Sequence, residues 1–188
     1  MKLPKHITDR RSIFPQFMAD RPVPEAVLKA LLAAANEAPS HKKTEPWRYR
    51  VYQGEGRQVL LREIQTIYEA GAGPWTWTDQ LAKKFGKKLE QAPVVLAIFL
   101  HRNVAETVPE WEEVAAVACS VQNIWTSLAE YDLGGYWSSP GFLCSDYGSF
   151  PGTPDTYRCL GLFYLGYHSA PELPRPRGNW EDKVTFVG

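Results

Sequence analysis

The eight residues Pro93–Leu100, PVVLAIFL, constrain the fold more than any other stretch. They are continuously apolar and rich in branched side chains, and far too short to cross a membrane. Such a run predicts a central, buried strand. A second apolar run, YRCLGLFYLGYH (157–168), predicts another strand, with Gly161 and Gly166 permitting close backbone approach. WRYRVYQG (47–54) alternates, with Trp47, Tyr49 and Val51 on one face and Arg48 and Arg50 on the other, and predicts a half-buried strand. GYWSSPG (135–141) reads as a short strand or turn, and KVTFV near the C-terminus as strand-like.

Helical periodicity fills the intervals. Residues 24–39 carry Val27, Leu28, Leu31, Leu32 and Ala35 on one stripe, start with Pro24 at the first helical position and end before Pro39. Residues 56–68 and 78–93 predict two more helices, the second capped by Thr78 with Lys83, Lys84, Lys87 and Lys88 facing outward. The longest helix, 109–135, carries Val114, Val117, Val121, Ile124 and Leu128, widened by Ala115, Ala118 and Trp125. Its broad apolar face predicts burial, in part against a partner subunit, and Gly134 or Gly135 is the expected left-handed cap. A short helix falls within 4–12 and a loop at 13–22. The order predicts one α+β domain over 1–188, a mixed central sheet flanked by helices.

Lysine plus arginine equals aspartate plus glutamate, 21 each, which argues against a nucleic-acid binder. Cys119, Cys144 and Cys159 form no metal or disulfide pattern, and His6, His41, His101 and His168 show no metal spacing. The N-terminus has no signal-like apolar stretch, so a cytoplasmic protein is expected.

Four stretches stand apart from core and surface. DRRS offers the forked donors of Arg10 and Arg11 and the hydroxyl of Ser12, a set suited to phosphate. APSHKKTEPW places Ser40, His41 and Lys43 in a polar loop before a strand. GGYWSSPG brings Trp137, Ser138 and Ser139 after two glycines, where backbone can lie close to a ligand. PRPRGNW projects Arg175 and Arg177 from a stiffened segment. Each has an ordinary reading alone: a surface arginine pair, a solvated loop, a turn, a tail. GxGxxG, P-loop, HExxH and GxSxG motifs are absent, and no acid–base pair demands a catalytic role.

In this order the four stretches resemble the FMN-dependent nitroreductase family, in particular its short single-domain members. RRS is similar to the family's phosphate-binding start, APSHKKTEPW to its A-P-S-x-x-N-x-Q-P-W loop and the A-P-x-H-K variant, LGGYWSSP to the segment beside the flavin, and FYLGYHSAPELPRPR to its late strand and basic tail. The resemblance implies that Arg10, Arg11 and Ser12 hold the FMN phosphate and ribityl chain, and that Trp137, Ser138 and Ser139 run along the ring. It implies that Ser40 and His41 reach the flavin of the other subunit and that Arg175 and Arg177 sit on the phosphate, while Lys43 and His41 are, by position, the candidates for positive charge near the ring. Lys43 and Glu45 replace the family's asparagine and glutamine, and Glu37 and Ser138 stand where short members carry arginine. The implied protein is a homodimer with FMN between subunits. It takes hydride from NADH or NADPH and reduces a small-molecule acceptor such as a nitroaromatic or quinone, with no side chain needed as acid or base. Trp75 and Trp77 are the expected lid. The alternatives are a flavin-storing protein on the same scaffold and a small-anion binder without flavin.

Overall fold

The computed structural model describes residues 3–71, 77–105, 107–144, 150–171 and 176–188. Within them the helices are α1 (Lys5–Thr8), α2 (Glu25–Asn36), α3 (Gly56–Gly71), α4 (Asp79–Gln91) and α5 (Glu110–Ser127). The strands are β1 (Trp47–Gln53), β2 (Val94–His101), β3 (Leu133–Ser138) and β4 (Tyr157–Tyr167), in the order β1-β2-β4-β3.

The apolar run forms β2, and its alternation explains why every position is apolar. Val94, Leu96, Ile98 and Leu100 pack beneath α2 and α5 with Leu31, Val117, Val121 and Ile124. Val95, Ala97 and Phe99 point the other way, into a layer with Leu60 and Ile64 of α3 and Phe85 and Leu89 of α4. A strand covered by helices on both faces has no solvent side on which to place a polar residue.

The α+β class is as expected, but the named strands pair antiparallel throughout rather than as a mixed sheet. A continuous apolar run reports burial on two faces and carries no information on strand direction. The parallel contact among the described residues is the isolated bridge between Ser12 and Gly135.

Other details depart from expectation. Pro24 lies just before α2 rather than at its first residue. The left-handed residue after α5 is Asp132, at φ 56°, following a 3-10 turn over Leu128–Tyr131. Gly134 and Gly135 belong to β3 instead. The end of the chain forms a short 3-10 turn at Glu181–Lys183, with no strand at 184–188. Thr78 caps α4 as expected, its Oγ1 accepting from the Leu81 N–H at 3.3 Å.

Candidate functional site

The DRRSIF stretch lies along the free edge of β3. The Ile13 N–H donates to the Gly135 carbonyl at 2.9 Å beside the Ser12–Gly135 bridge. The glycines of β3 make this approach possible. A Cβ on Gly134 would lie 2.7 Å from Ile13 Cγ1 and 2.6 Å from His168 Cδ2. One on Gly135 would lie 2.5 Å from Phe163 Cζ and 2.7 Å from Leu128 Cδ1. Further along, the Ala19 N–H donates to Tyr167 at 2.7 Å and the Ser169 N–H to Phe17 at 3.0 Å, tying the segment to the end of β4.

From the other side the segment meets the last turns of α5. Trp125 donates its indole N–H to the Arg11 carbonyl at 3.1 Å. The Arg10 guanidinium lies 4.5 Å from the Trp125 ring centroid. Arg11 turns back on its own chain, donating through Nη1 to the carbonyls of Thr8 at 2.5 Å and Arg10 at 3.0 Å. The two arginines therefore differ: one stacks on an aromatic face, the other stiffens the turn.

These elements bound a cleft of about 760 Å³, within the size range of small-molecule sites. Lys5, His6, Arg10, Arg11 and His168 line it against the acids Asp9 and Asp132. Burial holds the His168 imidazole below its ordinary value of 6.5. Cationic donors in excess of acids suit an anion, and a guanidinium suits a phosphate ester in particular.

At the other end of β3, Trp137 is held by its own hydrogen bond, its indole N–H donating to the Leu160 carbonyl at 3.0 Å. The register between β2 and β4 slips here, and Gly161 takes φ +125°. A Cβ at Gly161 would lie 2.5 Å from the Ser138 carbonyl oxygen and 2.8 Å from Trp137 Nε1. Ser138 is half-buried, and Ser139 is exposed just past the strand.

The loop with Ser40, His41 and Lys43 sits elsewhere. Lys42, Lys43 and Glu45 all adopt positive φ, at 52°, 54° and 42°. Each costs a non-glycine residue roughly 1–2 kcal/mol. Bonds from several directions hold the shape. His41 Nδ1 lies 2.5 Å from Glu112 Oε2, Lys42 donates to Thr107 at 2.9 Å, and Ser40 Oγ accepts from the Glu45 N–H at 3.2 Å. Glu112 is in the first turn of α5, whereas Trp125 is near its end. They are thirteen helical steps apart, about 20 Å. One protomer therefore does not bring Ser40, His41 and Lys43 together with Arg10, Arg11 and Ser12.

Arg177 is exposed on the tail, and Arg175 lies outside the described residues, as does Trp75. Trp77 packs 5.4 Å from the Tyr68 ring and stacks 6.1 Å from Phe85, so it anchors α3 to α4 instead of forming an open lid. Lys88 is half-buried, 5.9 Å from the Tyr136 ring, rather than facing fully outward. The sequence reading passed over Trp125, His168 and Asp132 as cleft residues. Trp125 was visible only as one apolar position in a broad helical stripe.

The edge of the α+β sheet thus holds a cleft lined by arginine and lysine, and a second basic loop is fixed at the far end of the same helix. The chain belongs to the nitroreductase family, whose model matches residues 7–167. It is 26% identical over 167 residues to YdjA of Escherichia coli (strain K12), provisionally named a NAD(P)H nitroreductase, with 85% of each chain covered. It is 27% identical over 185 residues to the iodotyrosine deiodinase of Thermotoga neapolitana, covering 94% of this chain and 95% of that one. Its fold is shared by the FMN-dependent nitroreductase NfnB of Mycobacterium smegmatis, solved in complex with NADPH. The TM-score is 0.73 at 17% identity, with 97% and 96% of the two chains covered. Among the described residues no helix is long and apolar enough to cross a membrane.

Proposed function

We propose that this chain is a single-domain, FMN-dependent oxidoreductase that takes hydride from NADH or NADPH and reduces electron-poor acceptors such as nitroaromatics or quinones. The carrying observation is the arginine-lined cleft at the β3 edge, in a chain of this family. Arg10 and Ser12 would hold FMN, which would supply the redox chemistry between NAD(P)H and the acceptor.

The residues of the chain bind, orient and shield. Arg10 and Ser12 are assigned to the phosphate end, with Arg11 holding their turn through Thr8. Ser138 and Ser139 follow on the same edge toward the ring, and Trp137, its N–H already engaged, supplies rigidity and apolar surface. Arg175 and Arg177 are assigned to the phosphate as well. Ser40, His41 and Lys43 act on the flavin of a second copy, a role favoured by the length of α5 between them and Arg10. Lys42 and Lys43 are both exposed; Lys42 is engaged with the Thr107 carbonyl, which leaves Lys43 as the candidate for stabilising negative charge on the reduced ring.

The dimer this requires has further support. Trp180, Phe186 and Val187 are 59%, 83% and 94% exposed at the end of the chain, and β1 is a sheet edge among the described strands. A second copy that covers such surface removes it from water. Three free cysteines suit a reducing, cytoplasmic setting.

Purified protein is expected to be yellow, to release FMN on denaturation, and to oxidise NADH or NADPH when a nitroaromatic or quinone is present. A colourless protein that ignores added FMN overturns the reading. The second reading, a flavin store, predicts a bound flavin that stays oxidised under excess NAD(P)H without oxygen.

A further inference from the structure

We propose that Trp125 is a positioning residue for the phosphate end of the cleft, acting through Arg10 and Arg11. The inference rests on the flavin reading above and extends it to a side chain of the helix behind the site.

Trp125 makes three contacts with three different consequences. Its ring face takes the Arg10 guanidinium at 4.5 Å from the centroid. A cation held over the ring face is attracted by the ring's negative face, which restricts where the guanidinium, a group suited to phosphate, can sit. Its indole N–H donates to the Arg11 carbonyl at 3.1 Å, fixing the peptide that leads into Ser12. Its ring meets Phe163 edge-on, with centroids 5.2 Å apart and planes at 82°, and Phe163 is wholly buried. The side chain thus transmits the rigidity of the core to two consecutive residues of the cleft wall. The Ser12–Gly135 bridge clamps the same segment from the opposite side. An arginine left to sample its rotamers loses considerable side-chain entropy each time it binds, and stacking removes part of that loss in advance.

The role predicts a selective defect. Riboflavin has the flavin ring and ribityl chain of FMN but no phosphate, so the ratio of the two affinities isolates the phosphate end. Wild-type protein is expected to prefer FMN. Trp125→Leu, which removes both the stacking and the N–H, is expected to lose about tenfold in FMN affinity with riboflavin affinity unchanged within about twofold. Trp125→Phe restores the stacking ring without the N–H and is expected to recover part of the loss. A residue with only a structural role lowers both affinities together.

The measurement is fluorescence titration of the apo-dimer with FMN and with riboflavin, alongside thermal unfolding of each variant. An unchanged FMN-to-riboflavin ratio in Trp125→Leu overturns the inference while leaving the flavin reading intact. A wild type that binds neither flavin overturns the flavin reading and the inference with it. If Trp125→Leu does not fold, Trp125→Phe decides: an FMN affinity about threefold weaker with riboflavin unaffected supports the role, and an unaltered ratio overturns it.

Discussion

His41 Nδ1 and Glu112 Oε2 lie 2.5 Å apart, fastening a loop with three left-handed residues to the first turn of α5. The His41 side chain is 56% exposed, so the pair contributes less than about 1 kcal/mol to stability. Its value lies in placement. Glu112→Ala is expected to leave the melting temperature within a few degrees of wild type while lowering acceptor reduction by roughly tenfold. Steady-state kinetics beside thermal unfolding checks this, and equal activity in the two proteins contradicts it.

Arg10 and Lys84 separate a site charge from a surface charge. Arg10 stacks on Trp125 in the cleft wall, while Lys84 is exposed on α4. Arg10→Ala is expected to weaken FMN retention at least about tenfold, and Lys84→Ala less than about twofold. Dialysis followed by flavin absorbance measures both. Matching losses would return DRRSIF to an ordinary surface pair.

Gly135 is set by packing rather than by backbone angle. Its Cβ would meet Phe163 and Leu128 at 2.5 and 2.7 Å. Both are buried, so neither yields easily. Gly135→Ala is expected to cost roughly 1–3 kcal/mol in urea unfolding and to loosen the Ile13 hydrogen bond to residue 135. A variant as stable as wild type shows that the edge can shift.

Glu113 is 1% exposed on α5 and forms an ion pair with Arg102, and its carboxylate also accepts from the Asn103 N–H at 3.2 Å. Removing one partner leaves a charge in a poorly hydrated place. Glu113→Ala is expected to destabilise by about 3 kcal/mol, the lower end for buried pairs because Arg102 still reaches water. Chemical denaturation tests it, and a loss below about 1 kcal/mol would contradict it.

Stability should fall at both ends of the pH scale for identifiable reasons. Burial pushes the Tyr49 hydroxyl up to about 12 from 10.0, its hydrogen bond with Ser120 opposing the shift. The unfolded chain releases that proton first, so stability is lost as pH climbs from about 10 towards about 12. Tyr52 and Tyr164 are raised too, so Tyr49→Phe makes the alkaline limb shallower without abolishing it. On the acid side, burial lowers His101 and His168 below 6.5. The unfolded chain then takes up protons first, and stability falls as pH drops through about 6.5. Urea midpoints across pH 5–11 read both limbs, and an identical alkaline slope in Tyr49→Phe counts against the assignment.

Much of this architecture was legible in the residues. Val94–Leu100 announced two-sided burial because both faces of that strand meet helices. Thr78 announced a helix start because its side chain satisfies an amide that the helix leaves open. The direction of the strands was not legible, since apolar alternation is the same for either. Asp132 takes the left-handed turn expected of Gly134 or Gly135, and those glycines instead lie in β3, where they meet Ile13 and Phe163. The donor-rich character of DRRS could be read from residue type, and Arg10 and Arg11 do line the cleft. Trp125 could not, because a tryptophan in an apolar stripe looks the same whether it fills a core or carries an arginine.

The eighteen residues of α5 finally act as a ruler. One end carries the histidine loop and the other carries the arginine segment, with about 27 Å of helix in all. Inserting one residue between Glu112 and Trp125 would advance the far end by about 1.5 Å and turn it through about 100°, swinging the tryptophan away from the arginine it faces. The length of this helix thus sets the spacing between the histidine loop, fastened at Glu112, and the arginine segment, fastened at Trp125.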